Sequence, residues 1–173
     1  MDSASHQNYL IKWANGLKVP VFSVDYRLAP KYPFPDPVND CFQAYVWLLT
    51  QAETQLGLEI DKIVFAGDSA GGHLTMSVTL MCLLRGVRPP DGIMCLYPVL
   101  SLNLQTFYPS SLMMSDDEII STGFISFCVA CTLRKGGNPK KDPILSPLIA
   151  PDFLIRLLPP THILVCEIDG LRD

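Results

Sequence analysis

The residues best suited to chemistry lie in one short stretch, VFAGDSAGGH at residues 64–73. An apolar run ends at Gly67, and Ser69 follows between neighbours too small to shield its hydroxyl. Gly67, Asp68, Ser69, Ala70 and Gly71 fit G-x-S-x-G, in which a serine sits on a sharp strand-to-helix turn with Oγ exposed. The pattern assigns Ser69 as nucleophile, with Gly67, Asp68, Gly71 and Gly72 forming the elbow. Such a serine adopts a strained backbone, and bulky residues two positions away would strike the strand or helix. Gly67 and Gly71 are therefore expected to remove that collision. The turn also aims Oγ at a helix N-terminus, where the dipole favours negative charge, and makes the Ala70 N–H an oxyanion donor.

Two other readings compete. Ser69 could be a plain helix N-cap, a common role for serine at such a position. Alternatively, GDSAGG could imitate the G-D-S-G-G nucleophile segment of chymotrypsin-like proteases. The glycine spacing and the preceding strand oppose the first. The α/β patterning and the lack of a secretory leader oppose the second.

The elements that must position the serine follow from periodicity. An amphipathic helix is expected over residues 5–17, with Ser5 as N-cap and Tyr9, Leu10, Trp13 and Leu17 on one stripe, then a strand over 20–25 (PVFSVD). A proline-rich loop, YRLAPKYPFPDP, precedes a helix over 38–56, a strand over 62–67 and a helix over 70–86. A third strand covers 93–99 and a fourth 161–169. The sixty residues between these last two hold one helix, 116–133, capped by SDDE. Apolar strands alternating with helices belong to a parallel sheet covered on both faces, hence an α/β fold. The 173 residues read as one domain, with an insertion-like region at about 100–160.

The composition narrows the function. A 49% hydrophobic chain can bury a core. Seventeen acidic residues against thirteen basic ones, with RKGGNPKK the only basic cluster, argue against nucleic acid as a partner. The six cysteines read as buried free thiols. No His, Asp or Glu group has metal-ligand spacing, so neither metal nor cofactor is expected. With no leader and no apolar stretch long enough to cross a bilayer, the expected location is the cytoplasm.

GDSAGGH at 67–73, DYRLAPKYPFP at 25–35, LYPV at 96–99 and EIDGLRD at 167–173 together resemble the hormone-sensitive lipase family of α/β hydrolases, in that family's order. SHQNYLIKWA, RPPDGIM and SPLIAPDFLIRLLPPTHIL resemble its animal members, so the likeness spans nearly the whole chain. The resemblance implies an α/β-hydrolase fold, partial here, with Ser69 as nucleophile and Asp169 as the triad acid at the end of the last strand. Gly170 replaces the proline of the family's D-P-L-x-D pattern, and Asp173 is the second candidate acid. It also implies hydrolysis of acylglycerols or related lipid esters through an acyl-enzyme, and association with a lipid droplet or membrane surface. TFYPSSLMM and FISFCVAC are compatible with an acyl pocket.

In this fold a histidine follows the acid. None follows Asp169 here, His6, His73 and His162 read as surface or packing residues, and only four residues precede SHQNYLIKWA, so the family's His-Gly-Gly-Gly oxyanion segment is not among them. The expectation is an internal part of a longer lipase, in which the 20–25 strand lacks a neighbour and is destabilised. The alternative is a catalytically silent binding module.

Overall fold

The computed structural model describes residues 6–106, 108–114 and 120–173. Among them the order is α1 (Gln7–Leu17), α2 (Asp36–Leu56), β1 (Val64–Asp68), α3 (Ala70–Arg85), β2 (Gly92–Leu96), α4 (Thr122–Thr132), α5 (Asp152–Ile155) and β3 (Thr161–Leu164). 3-10 turns occupy Pro109–Met114 and Pro147–Ile149.

The strands form a parallel sheet in the order β1-β2-β3. Asp68 pairs with Leu96 and Leu96 with Leu164, so the three C-terminal ends lie side by side. That edge is where open α/β sheets carry their sites.

Helix α3 is the centre of the core, buried continuously from Gly72 to Cys82. Its apolar residues surround the helix instead of forming one stripe, as a helix between two layers requires. Met76 and Leu80 pack with Ile93 and Cys95 of β2, while Leu74, Val78 and Met81 pack with Val38, Phe42 and Tyr45 of α2. The α2 residues recur at spacings of four and three, a single helical face. Tyr45 meets Phe65 of β1 edge-on at 4.7 Å. The hydroxyls that α3 buries are satisfied, Thr79 by the Thr75 carbonyl at 2.8 Å and Ser77 by the Ile144 carbonyl at 2.7 Å.

Several expectations need correction. Residues 20–25 form no strand: they are exposed and lie outside the described sheet, of which β1 is the edge, with Val64 65% exposed. Their β-branched and aromatic residues, Val21, Phe22 and Val24, suit a strand but have no ladder to join. Helix cover is seen on the α3 face; on the other face Val64 and Ala66 of β1 are exposed. The last strand stops at Leu164, whose carbonyl accepts the Tyr97 N–H at 2.6 Å, and residues 165–173 are a loop. Helix α4 starts at Thr122, capped by Ser121, whose hydroxyl accepts the Phe124 N–H. The proposed SDDE cap and Ser5 lie outside the described residues. Within the 100–160 region, Leu154 of α5 joins the α3–β2 cluster, and Leu145 packs with Leu102 and Val129. The cysteines are free but not uniformly buried, since Cys166 is exposed.

Candidate active site

Ser69 stands between the last residue of β1 and the first of α3, at φ 52° and ψ −116°. A non-glycine residue there is strained, and such strain persists only where the surroundings over-determine it. Three hydrogen bonds hold the backbone. The Ser69 N–H donates to the Leu96 carbonyl at 2.9 Å, and the Ser69 carbonyl accepts the His73 N–H at 3.1 Å and the Val99 N–H at 3.5 Å. The side chain makes no capping bond and is exposed, so the N-cap reading fails. The Ala70 N–H lies in the first turn of α3, among the donors that have no intrahelical acceptor.

The elbow glycines divide differently from expectation. A Cβ on Gly67 would lie 2.3 Å from the Gly71 carbonyl oxygen and 2.8 Å from Thr75 Oγ1, and one on Gly72 would lie 2.8 Å from Pro98 Cβ. On Gly71 it would meet only Asp68 Oδ1, at 3.9 Å, an ordinary contact. The collision-removing pair is therefore Gly67 and Gly72. Spacing about the serine points to Gly71, whereas the close approaches come from α3 itself at Gly67 and from Pro98, in the chain leaving β2, at Gly72.

Asp68 turns away from catalysis towards α1. Its Oδ1 is 3.4 Å from His6 Nε2 and accepts the Tyr9 hydroxyl at 3.4 Å. Burial, and then the Asp68 carboxylate, push the Tyr9 phenol up to about 12. Burial and Asp68 also raise Tyr97, and burial, Cys41 and Asp68 raise Tyr26. Tyr97 itself has φ 38°, a second strained residue at the sheet's C-terminal edge. Neither its strain nor its place near Asp68 has a local sequence signal.

Asp169 lies in the loop after β3, five residues beyond the strand, not at its end as expected. Its Oδ1 accepts the Leu171 N–H at 2.8 Å, an Asx turn that holds the carboxylate. It lines a cavity of about 380 Å³ with Tyr97, Val99, Ile125, Val165 and Leu171. Ser69 is not among the lining residues. Tyr108, Ser110 and Ile125 bring both expected pocket segments to this cavity, but Phe124 and Phe127 face outward.

Asp173 is used otherwise. Its Oδ2 accepts the N–H of buried Ser110 at 2.7 Å, its own N–H donates to Ser110 Oγ at 3.3 Å, and that hydroxyl reaches the Gly170 carbonyl at 3.2 Å. The Ser110 N–H, with Arg172 beside it, holds the Asp173 carboxyl below the usual range. This two-way staple fastens the end of the 169–173 loop to the 108–111 turn, whereas Asp169 Oδ1 bonds within its own loop, to the Leu171 N–H.

Of the histidines, His73 is buried against Val99 and Ser77, and His162 lies in β3 near its N-terminal end, away from the edge that carries Ser69. Among the described residues no three His, Cys, Asp or Glu gather as metal ligands.

The profile of the alpha/beta hydrolase fold family matches residues 1–173. The chain belongs to that family. Hormone-sensitive lipase of Mus musculus is 44% identical over 128 residues, 74% of this chain and 17% of that protein. An arylesterase of Saccharolobus solfataricus is 32% identical over 163 residues, 92% of this chain and 50% of that protein. The solved esterase of Pyrobaculum calidifontis matches with a TM-score of 0.87 at 29% identity, over all of this chain and 55% of that one. Carboxyl esterase 2 of Tuber melanosporum matches with a TM-score of 0.86 at 29% identity, over 97% of this chain and 55% of that one. This hydrolase chain thus spans about half the length of these esterases, and less of the lipase.

Proposed function

We propose that this chain carries the nucleophile and acid of a serine carboxyl-ester hydrolase that acts on acylglycerols or related lipid esters. The observation that carries the reading is Ser69: a strained serine at a strand-to-helix turn, with an exposed hydroxyl that caps nothing. Similarity to hormone-sensitive lipases and to esterases supports the ester class, and the largely apolar cavity beside Asp169 supports an acyl chain as occupant.

In this reading Ser69 Oγ attacks the ester carbonyl while its proton passes to an imidazole. The tetrahedral oxyanion forms at the Ala70 N–H and the α3 N-terminus, and the alcohol leaves with the proton. Water then releases the acid from the acyl-enzyme by the same steps. Asp169 orients the imidazole. His73 is held by Val99 and Ser77, His162 lies in β3 and His6 Nε2 pairs with Asp68 Oδ1 at 3.4 Å; in this reading the base and the remainder of the oxyanion hole are supplied from elsewhere in the working hydrolase. A cytoplasmic enzyme at a lipid-droplet or membrane surface fits this substrate.

A fluorophosphonate probe tests the reading, because covalent capture needs an activated serine. Labelling that maps to Ser69 and disappears in Ser69→Ala supports it. Folded working hydrolase, with its base and complete oxyanion hole present, that takes up no probe overturns it and favours a binding module.

A further inference from the structure

His73 is a buried titratable side chain that the proposed reaction does not use, and its contacts converge on the nucleophile. It lies one turn into α3 and is 8% exposed. Nδ1 is 2.9 Å from the Val99 carbonyl oxygen and Nε2 is 3.3 Å from Ser77 Oγ, which in turn is 2.7 Å from the Ile144 carbonyl oxygen.

Donor and acceptor roles fix the tautomer. A carbonyl oxygen only accepts, so Nδ1 must carry the proton given to Val99. The Ile144 carbonyl likewise only accepts, and Ser77 has a single hydroxyl proton to give it. A neutral ring has no second proton, so Nε2 presents a lone pair to Ser77, whose hydroxyl is shared between two acceptors. The fixed contact is therefore Nδ1–H to Val99.

That contact closes a ring. The Ser69 carbonyl accepts from the His73 N–H and from the Val99 N–H, and the Val99 carbonyl accepts from the His73 side chain. Val99 is bound on both of its backbone polar groups. The segment before it is otherwise short of anchors: Pro98 has no N–H, and Tyr97 is strained, with its N–H tied to the Leu164 carbonyl. Ser69 needs surroundings that over-determine its conformation, and the 97–99 segment is half of those surroundings.

We propose that His73 is a positioning residue for Ser69, acting as a neutral Nδ1–H donor that locks the segment after β2 onto the elbow. This rests on the reading of Ser69 as nucleophile. Asparagine can place an amide N–H where Nδ1–H stands, whereas leucine fills the space without a donor.

The test compares wild type, His73→Asn and His73→Leu by two measurements on the working hydrolase that carries these residues and its base: the kinetics of fluorophosphonate capture at Ser69, and amide hydrogen exchange at Val99. In His73→Leu, capture at saturating probe falls about tenfold or more with probe affinity little changed, the signature of a displaced reactive group. Val99 exchange quickens by about tenfold or more once its segment opens locally. His73→Asn restores both. A leucine variant with wild-type capture and wild-type Val99 exchange overturns the proposal, as does an asparagine variant that exchanges and reacts like the leucine one. If His73→Leu fails to fold, an asparagine variant with wild-type exchange and capture supports it, and a folded asparagine variant that loses both overturns it. If even wild type takes up no probe, the nucleophile reading falls, while Val99 exchange still decides whether His73 locks the segment.

Discussion

Ser69 and Tyr97 follow the paired ends of β1 and β2, where Asp68 stands opposite Leu96, and both have positive φ, 52° and 38°. Two strained residues side by side at the C-terminal edge of a parallel sheet mark a place where the fold is held away from its local optimum.

Relieving that strain should stabilise the protein and silence it. Ser69→Gly is expected to raise stability by about 1 kcal/mol, since glycine adopts positive φ freely. It should abolish fluorophosphonate capture. Urea denaturation beside probe labelling checks both halves, and a destabilised glycine variant would contradict the strain.

The elbow glycines should rank unequally. Gly67→Ala forces a Cβ to within 2.3 Å of the Gly71 carbonyl oxygen, and Gly72→Ala crowds Pro98. Each is expected to cost about 1–3 kcal/mol or more as overpacking, with Gly67→Ala the worse because backbone cannot give way. Gly71→Ala has room and should fall within about 1 kcal/mol of wild type, with helix propensity in its favour. Melting of the three variants gives the order.

The Ser110–Asp173 staple should behave as a coupled pair. Ser110→Ala and Asp173→Ala are expected to be non-additive in a double-mutant cycle. Because the Asp173 pKa is depressed in the fold, its contribution is present above the ordinary aspartate value of about 3.9 and is lost as pH falls through the lower folded value. A coupling that persists unchanged in acid would contradict this.

Burial holds the His73 pKa below its ordinary value, against the opposing pull of the Val99 carbonyl. The unfolded chain takes up a proton below about pH 6.5 and the fold resists it, so His73's contribution is full above that pH and declines as pH falls towards the folded value. The Tm is expected to drop between pH 7.5 and 5, and His73→Asn should flatten that slope. Calorimetry of the two proteins across this range is sufficient.

Thiol reactivity should follow burial. Burial pushes Cys82 and Cys95 to about 11, and Cys166 is exposed. Under native conditions iodoacetamide should modify Cys166 first and spare Cys82 and Cys95, as read by peptide mass spectrometry.

What the sequence determined is what local pattern can determine. The G-x-S-x-G turn, the apolar run before it and the helix after it specify a strand, an elbow and a helix, because glycine, β-branched and helix-forming residues act on their immediate neighbours. The α/β class followed, and so did the positions of β1, α2 and α3 to within a few residues. Local pattern failed where pairing was needed: residues 20–25 carry a strand's residue types, and the 161–169 run outlasts its ladder, but a strand exists only where another chain segment accepts its hydrogen bonds. The tertiary structure alone decided which glycine the elbow needs, since Pro98 and Thr75 supply the contacts. It also separated Asp169 from Asp173 through Ser110, 63 residues away, and brought Val99 to His73 across 26 residues. Such partners leave no mark in local sequence, because their distance along the chain says nothing about their distance in space.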